Sequence, residues 1–212
     1  MTLAVCYVEG AGDKLAMESL LRSLIELKRA QGVAIEFFET PAGDRKKSVL
    51  LKGPEKALNI LRNNPKAQVA LVPDLYPRNR GFPHETVAEL RAGVFELARR
   101  VLDRKQLPAQ LLERLHVFCF KHDLEALVLA AEMPLAARLG VRQLVPTWVL
   151  PVEDQNHEFP PKRIVEQLFE QRHRRYKETV DAPAILEGAS YADIAGRCSQ
   201  SFAPFVEWLE SL

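Results

Sequence analysis

Short apolar runs alternate with helix-patterned stretches through the first two-thirds of the chain, and nothing else in the sequence constrains the fold as strongly. "TLAVCYV" (2–8), "VAIEFFE" (33–39), "AQVALVP" (67–73) and "LHVFCF" (115–120) are short and rich in β-branched and aromatic residues, and they read as strands. After the first, residues 13–31 place Leu20, Leu21, Leu24, Ile25 and Leu27 on one helical face, with Gly32 as a stop. After the second, "PEKALNILRN" (54–63) opens on a proline, which suits a helix start. After the third, residues 84–104 carry Val87, Leu90, Val94, Leu97, Ala98 and Val101 on one side of a long helix. A short helix near 108–114 precedes the fourth strand, and His122 begins another, "HDLEALVLAAEM". Strands alternating with helices in this way predict a mainly parallel four-stranded sheet flanked by helices.

The last third has a different texture. "PTWVLPVEDQNHEFPPKR" (146–163) is rich in proline and polar residues, and connectors of this length in compact domains often carry function. Helices are expected at 160–174, 182–188, 190–197 and 203–211. The chain shows no internal repeat and no low-complexity tract. The expected organisation is an α/β core over 1–145, with 146–212 as a connector and helical extension packed on the same domain.

A net charge of +1 excludes a strong overall pull on nucleic acid or membranes, so any anion binding must come from local basic clusters. Cys6, Cys119 and Cys198 lack metal spacing and read as buried free thiols, which fits a reducing compartment. No stretch resembles a secretion signal, and none approaches the ~20 apolar residues of a membrane span. A cytoplasmic location without membrane association is therefore expected.

In open parallel sheets, sites form outside the carboxyl ends of the strands. The first strand ends at Glu9, the third at Asp74, and the fourth just before His122 and Glu125; Asp13 lies in the first helix. A helix through His122 and Glu125 would put both on one face. Carboxylates crowded together raise one another's pKa, and a divalent cation removes that conflict. Oxygen donors suit Mg²⁺ or Mn²⁺, with His122 assisting Mn²⁺ or holding a carboxylate. Each residue also has a plain structural role. Glu9 would serve as a solvated loop carboxylate, Asp13 as a charge favouring the helix dipole, Asp74 as a turn residue, and His122 or Asp123 as a helix cap.

These segments resemble a known family. "VEG" with Asp13 resembles the first motif of Toprim domains, and "ALVPDLYP" (70–77) their second acidic strand end. "KHDLEALVLA" (121–130), "FPPKRI" (159–164), "RYK" (175–177) and the ending "IAGRCSQSFAPFVEWLESL" are similar to the bacterial family named domain of unknown function 4276. The resemblance covers nearly the whole chain. It implies a Toprim-like fold, a relation to the nuclease half of overcoming-lysogenization-defect proteins, and divalent metal. It also implies cleavage of DNA and a place in bacterial defence against phage, beside an ATPase encoded nearby. Glu9 matches the motif glutamate, a metal ligand or acid/base in Toprim enzymes. Asp13 and Gly12 stand where the family's "VEG-x-T-E" has glutamate and threonine. Asp74 matches the first aspartate of "D-x-D", whose second position here is Tyr76. With Glu125 as the substitute, the implied site holds one ion rather than two.

Phosphoryl transfer also needs positive charge. Arg45, Lys46 and Lys47 follow the second strand, Lys162 and Arg163 follow a Pro-Pro turn, and "QRHRRYK" (171–177) carries Arg174, Arg175 and Lys177. Each cluster also reads as a solvated helix face. The resemblance puts Lys177 in a family motif, so Glu9, Glu125, Lys162 and Lys177 are the expected catalytic residues. Glu9, Asp13, Asp74, Glu125 and His122 are the expected metal ligands. The rival expectation is a non-enzymatic Toprim-like scaffold that binds nucleic acid or a partner ATPase. A weaker one is a nucleotide-binding regulator using "GAGDK", which lacks the P-loop spacing. Trp148 and Trp208 read as core.

Overall fold

The computed structural model describes residues 1–40, 47–76, 83–155 and 158–212. They form two compact units. The first comprises Met1–Gly10, Leu24–Cys119 and Leu212, and the second Ala11–Ser23 and Phe120–Ser211.

The first unit contains β1 (Thr2–Val8), β2 (Val33–Glu39), β3 (Ala67–Val72) and β4 (Leu115–Val117), all parallel, in the order β2-β1-β3-β4. The expected four-stranded parallel sheet is the one observed. Central β3 is buried from Val69 to Val72, as a strand covered on both faces must be. Edge strand β2 instead alternates, with Val33, Ile35 and Phe37 buried and Glu36 and Phe38 exposed. β4 is shorter than its apolar run suggests. It pairs with β3 only over Val69–Leu71, and the Phe118 amide makes one further bond, to the Leu71 carbonyl at 2.9 Å.

The helix expected over 13–31 is two, α1 (Ala11–Leu20) and α2 (Arg22–Ala30), and Gly32 follows the second with φ 83°. That left-handed backbone favours glycine. A π-helical turn, Ser48–Lys52, leads into α3 (Gly53–Asn63). α4 (Val87–Lys105) starts three residues later than its apolar pattern because Thr86 caps it. The Glu89 amide donates to Thr86 Oγ1 at 3.2 Å, and Glu89 Oε2 accepts from the Thr86 amide at 3.1 Å, a reciprocal capping box. α3 and α4 bring Leu58, Leu61, Leu90 and Val94 against Val69 and Leu71.

The second unit is helical. α1 packs along α8 (Glu178–Glu187), and around them lie α5 (Glu125–Ala130), α6 (Glu132–Leu139), α7 (Pro161–Glu170), α9 (Tyr191–Arg197) and α10 (Phe202–Ser211). All six residues of α5 are buried, which makes it the unit's central helix. The helix expected from His122 onward breaks at Ala131 (ψ 52°), because Pro134 would otherwise sit in a helix interior without an amide. As the third residue of α6, Pro134 costs no intrahelical bond. α5 also begins at Glu125, so His122 lies ahead of the helix and the expected shared helical face does not exist.

Two buried carboxylates of this unit, Glu153 and Asp181, are well partnered. Glu153, wholly buried on a 3₁₀ turn (Val152–Asp154), accepts the Gln200 amide at 2.7 Å, the Ser201 amide at 2.8 Å and the Ser201 hydroxyl. Asp181 accepts Arg138 Nε and Nη2 at 2.9 and 2.7 Å and the Lys177 amide at 2.7 Å. All three cysteines are buried, Trp148 is buried, and Trp208 stacks on Phe205 at 5.9 Å. Among the described residues no helix is long and apolar enough to cross a membrane.

Candidate functional site

The first unit brings Glu9 and Asp74 together. The register pairs Val8 with Val72, so the ends of β1 and β3 are level, and the next residues of both turns share one edge. The Asp74 amide donates to Glu9 Oε1 at 3.0 Å, and Thr40, at the end of β2, donates to the Glu9 carbonyl at 2.7 Å. In this strand order the connections from β1 and to β3 run to opposite sides, so both carboxylates lie at a topological switch point, where ligands bind in open α/β sheets.

The second unit gathers a separate set around Lys162, in the first turn of α7. Its ammonium lies 2.5 Å from Glu178 Oε2 and 3.7 Å from Glu125 Oε1, and its amide donates to Asp123 Oδ2 at 3.3 Å. Glu125 is 2 % exposed. Burial is the main cause raising its carboxyl above the usual range; Lys162 opposes this, and the charges of Glu178 and Asp13 add to it. Asp123 is raised by burial and then by Glu125. Burial would lower the Lys162 ammonium, but Glu125, Glu178 and Asp123 outweigh it, and the net shift is upward. Tyr176 is buried beside these groups, and burial followed by the Glu125 charge raises its hydroxyl. Glu125 Oε1, Asp123 Oδ1 and the Tyr176 hydroxyl are sealed from solvent with no hydrogen-bond partner among the described residues.

A family model for a domain of unknown function (DUF4276) matches residues 8–210. The chain belongs to this family. The family member's fold is similar to the C-terminal region of the Burkholderia pseudomallei OLD protein, with a TM-score of 0.50 at 16% identity, covering 100% of this chain and 98% of that one. The C-terminal region of the Xanthomonas campestris pv. campestris OLD protein matches with a TM-score of 0.45 at 12% identity, over 98% and 95% of the two chains. No curated protein matches the sequence.

Among the described residues of this DUF4276 chain, no group of three or more histidine, cysteine, aspartate or glutamate side chains is arranged to hold a metal. Mg²⁺ needs less, since it keeps several waters and takes one or two carboxylates. Asp123 and Glu125 in the helical unit, and Glu9 and Asp74 in the sheet unit, each supply hard oxygen donors of the kind Mg²⁺ takes. Asp13 is buried on α1, near enough to raise Glu125. His122 is buried outside α5. Its charge adds a small effect to the Asp154 carboxyl, which hydrogen bonds from Lys121 and Gln200 chiefly hold low.

Among the basic residues, Lys162 contacts Asp123, Glu125 and Glu178. Tyr176 points inward from an extended stretch while Arg175 and Lys177 are exposed, the alternation such backbone imposes. Arg174 donates to the Arg138 carbonyl (2.5 Å), lies 3.9 Å from Asp181 and over the Phe169 ring (5.2 Å) while staying 42% exposed, and Arg163 lies over Phe159 at 5.5 Å. Lys47 is exposed, and Arg45 and Lys46 fall outside the described residues. Sequence reasoning missed Glu178 and Tyr176, and it read Asp123 only as a cap. The one local sign was Gly12 in place of the family threonine. A Cβ there would lie 2.2 Å from Glu178 Oε1.

Proposed function

We propose that this protein is a divalent-metal-dependent phosphodiesterase acting on DNA, a Toprim-type nuclease in bacterial defence that works with an ATPase encoded nearby. The observation that supports this reading is the set of carboxylates, Asp123, Glu125 and Glu178, gathered around Lys162. Glu9 and Asp74 are the proposed ligands within the sheet unit, and Glu125, with Asp13 and His122, the proposed ligands within the helical unit. A single Mg²⁺ or Mn²⁺, when bound by one of these sets, would supply Lewis-acid polarisation of a phosphoryl oxygen. Glu125, its carboxyl raised toward neutrality by burial, is suited to move a proton at the attacking water. Lys162 neutralises charge developing on the phosphate. Exposed Lys177, Arg163 and Arg175, with Arg174 and the 45–47 cluster, are the proposed contacts to the DNA backbone, and such contacts weaken as salt rises.

The test is plasmid nicking with Mg²⁺ or Mn²⁺ by the wild type and by Glu9→Gln, with the ATPase added in a second arm. Nicking by the wild type and at least about 100-fold less by the variant is the expected result. Equal nicking by both would assign the activity to a contaminant.

The want of any three-donor group among the described residues favours a second reading, a Toprim-like scaffold that docks nucleic acid or the ATPase without cutting. DNA retention that survives Glu9→Gln, with no cleavage in any arm, would select it.

A further inference from the structure

We infer that Glu178 is a positioning residue for Lys162, and that Gly12 exists in this chain to make room for it. The inference rests on the reading of Lys162 as the group that neutralises phosphate charge.

Lys162 has a long, flexible stem, and its side chain is 43% exposed. Left to itself, its ammonium would spread over many rotamers in water. Two contacts prevent this. At the backbone end, the Lys162 amide is tied to Asp123. At the other end, Glu178 takes the ammonium at 2.5 Å and leaves it 3.7 Å from Glu125. Glu178 is the first residue of α8, and α8 packs along α1. Its carboxylate fills the space that a side chain on α1 would otherwise take. A Cβ at position 12 would approach Glu178 Oε1 at 2.2 Å, Cγ at 2.7 Å and Cδ at 2.8 Å. Glu178 could escape that clash only by swinging away, and doing so would release Lys162. Gly12 and Lys162, on different helices, are thus coupled through a single carboxylate.

Stability does not account for this arrangement. A half-exposed lysine–carboxylate pair contributes little to folding, so Glu178→Ala is expected to fold like the wild type. What it changes is where the ammonium sits.

The experiment has two readouts. The first is brief acetylation with an N-hydroxysuccinimide ester, with Lys162 scored against Lys177 by peptide mass spectrometry. In the wild type Lys162 is expected to react more slowly than Lys177. Glu178→Ala and Gly12→Ala are each expected to raise its relative rate about fivefold, the factor for losing one such ion pair. Gly12→Ala is expected to add nothing in the Glu178→Ala background. Unchanged labelling in both single variants, or additive effects in the double variant, would overturn the inference.

The second readout is nicking. Glu178→Ala is expected to lower kcat about tenfold with KM unchanged, and to have no effect once Lys162 is alanine. A kcat that stays level while labelling rises, or one that falls equally without Lys162, would remove the positioning role. Should the wild type fail to nick, the proposed reaction falls, while the labelling still decides whether Glu178 and Gly12 hold Lys162.

Discussion

Glu125→Gln is expected to reduce nicking by at least about 100-fold and, at neutral pH and above, to make the protein more stable. The two effects share one cause. Glu125 opens a helix whose every residue is buried, and it is itself only 2 % exposed. Ionising it there is costly, so its folded carboxyl holds a proton more tightly than the unfolded one does. The folded state then binds more protons, and the sign follows from linkage. The contribution of Glu125 to stability is greatest below the unfolded value of about 4.3. It is lost as pH rises from there through the raised folded value. Glutamine never ionises, so the variant escapes that loss, and Lys162 keeps Glu178 as a partner. A gain of about 1–2 kcal/mol is expected at pH 8, shrinking toward pH 5. Urea midpoints measured at both pH values check it. A gap between variant and wild-type midpoints that does not widen from pH 5 to pH 8, or a variant less stable than the wild type at the higher pH, would contradict it.

Glu153→Ala is expected to destabilise the protein by about 3–5 kcal/mol, the largest loss of any single substitution outside the apolar core. Glu153 is completely buried and satisfies two backbone amides and a hydroxyl at the entry to α10. Alanine would leave the Gln200 and Ser201 amides without an acceptor and open a void beside them. Neighbouring Lys121 bridges Asp154 at 2.9 Å and Gln200 at 2.7 Å, and Gln200 Nε2 donates to Asp154 at 3.0 Å, so the same two segments would keep these exposed ties. Glu153→Gln, which retains one acceptor oxygen, should lose less than half as much. Urea denaturation followed by Trp208 fluorescence measures both, and a loss below about 1 kcal/mol for the alanine variant would show that the segment finds other partners.

The strands could be read because their burial is written into their composition. Thr2–Val8 and Ala67–Val72 are apolar on both faces and bounded by turn residues. β4 was over-read for a related reason. "VFCF" remains apolar past Val117, but a strand extends only as far as its neighbour offers partners, and β3 supplies few. The split of α5 from α6 was legible in Pro134, whose position nine residues after Glu125 disfavours a continuous helix. At the candidate site, Glu9 and Asp74 were visible as strand ends, and their adjacency followed once β1 and β3 were neighbours. Glu178 was invisible. In its local sequence it is one more acidic residue at a helix start, and its meaning depends on a glycine near the other end of the chain.

The helical unit borrows its first helix from the opening of the chain, then returns only at Phe120. Genetic dissection therefore cannot follow a single cut. A fragment beginning at Phe120 would lack Gly12 and Asp13 and leave one flank of α8 bare to water, whereas a fragment stopping at Cys119 would carry an orphaned amphipathic segment. Supplying Ala11–Ser23 as a synthetic peptide, or rejoining it behind Ser211 by circular permutation, is the route by which the two halves can be studied separately.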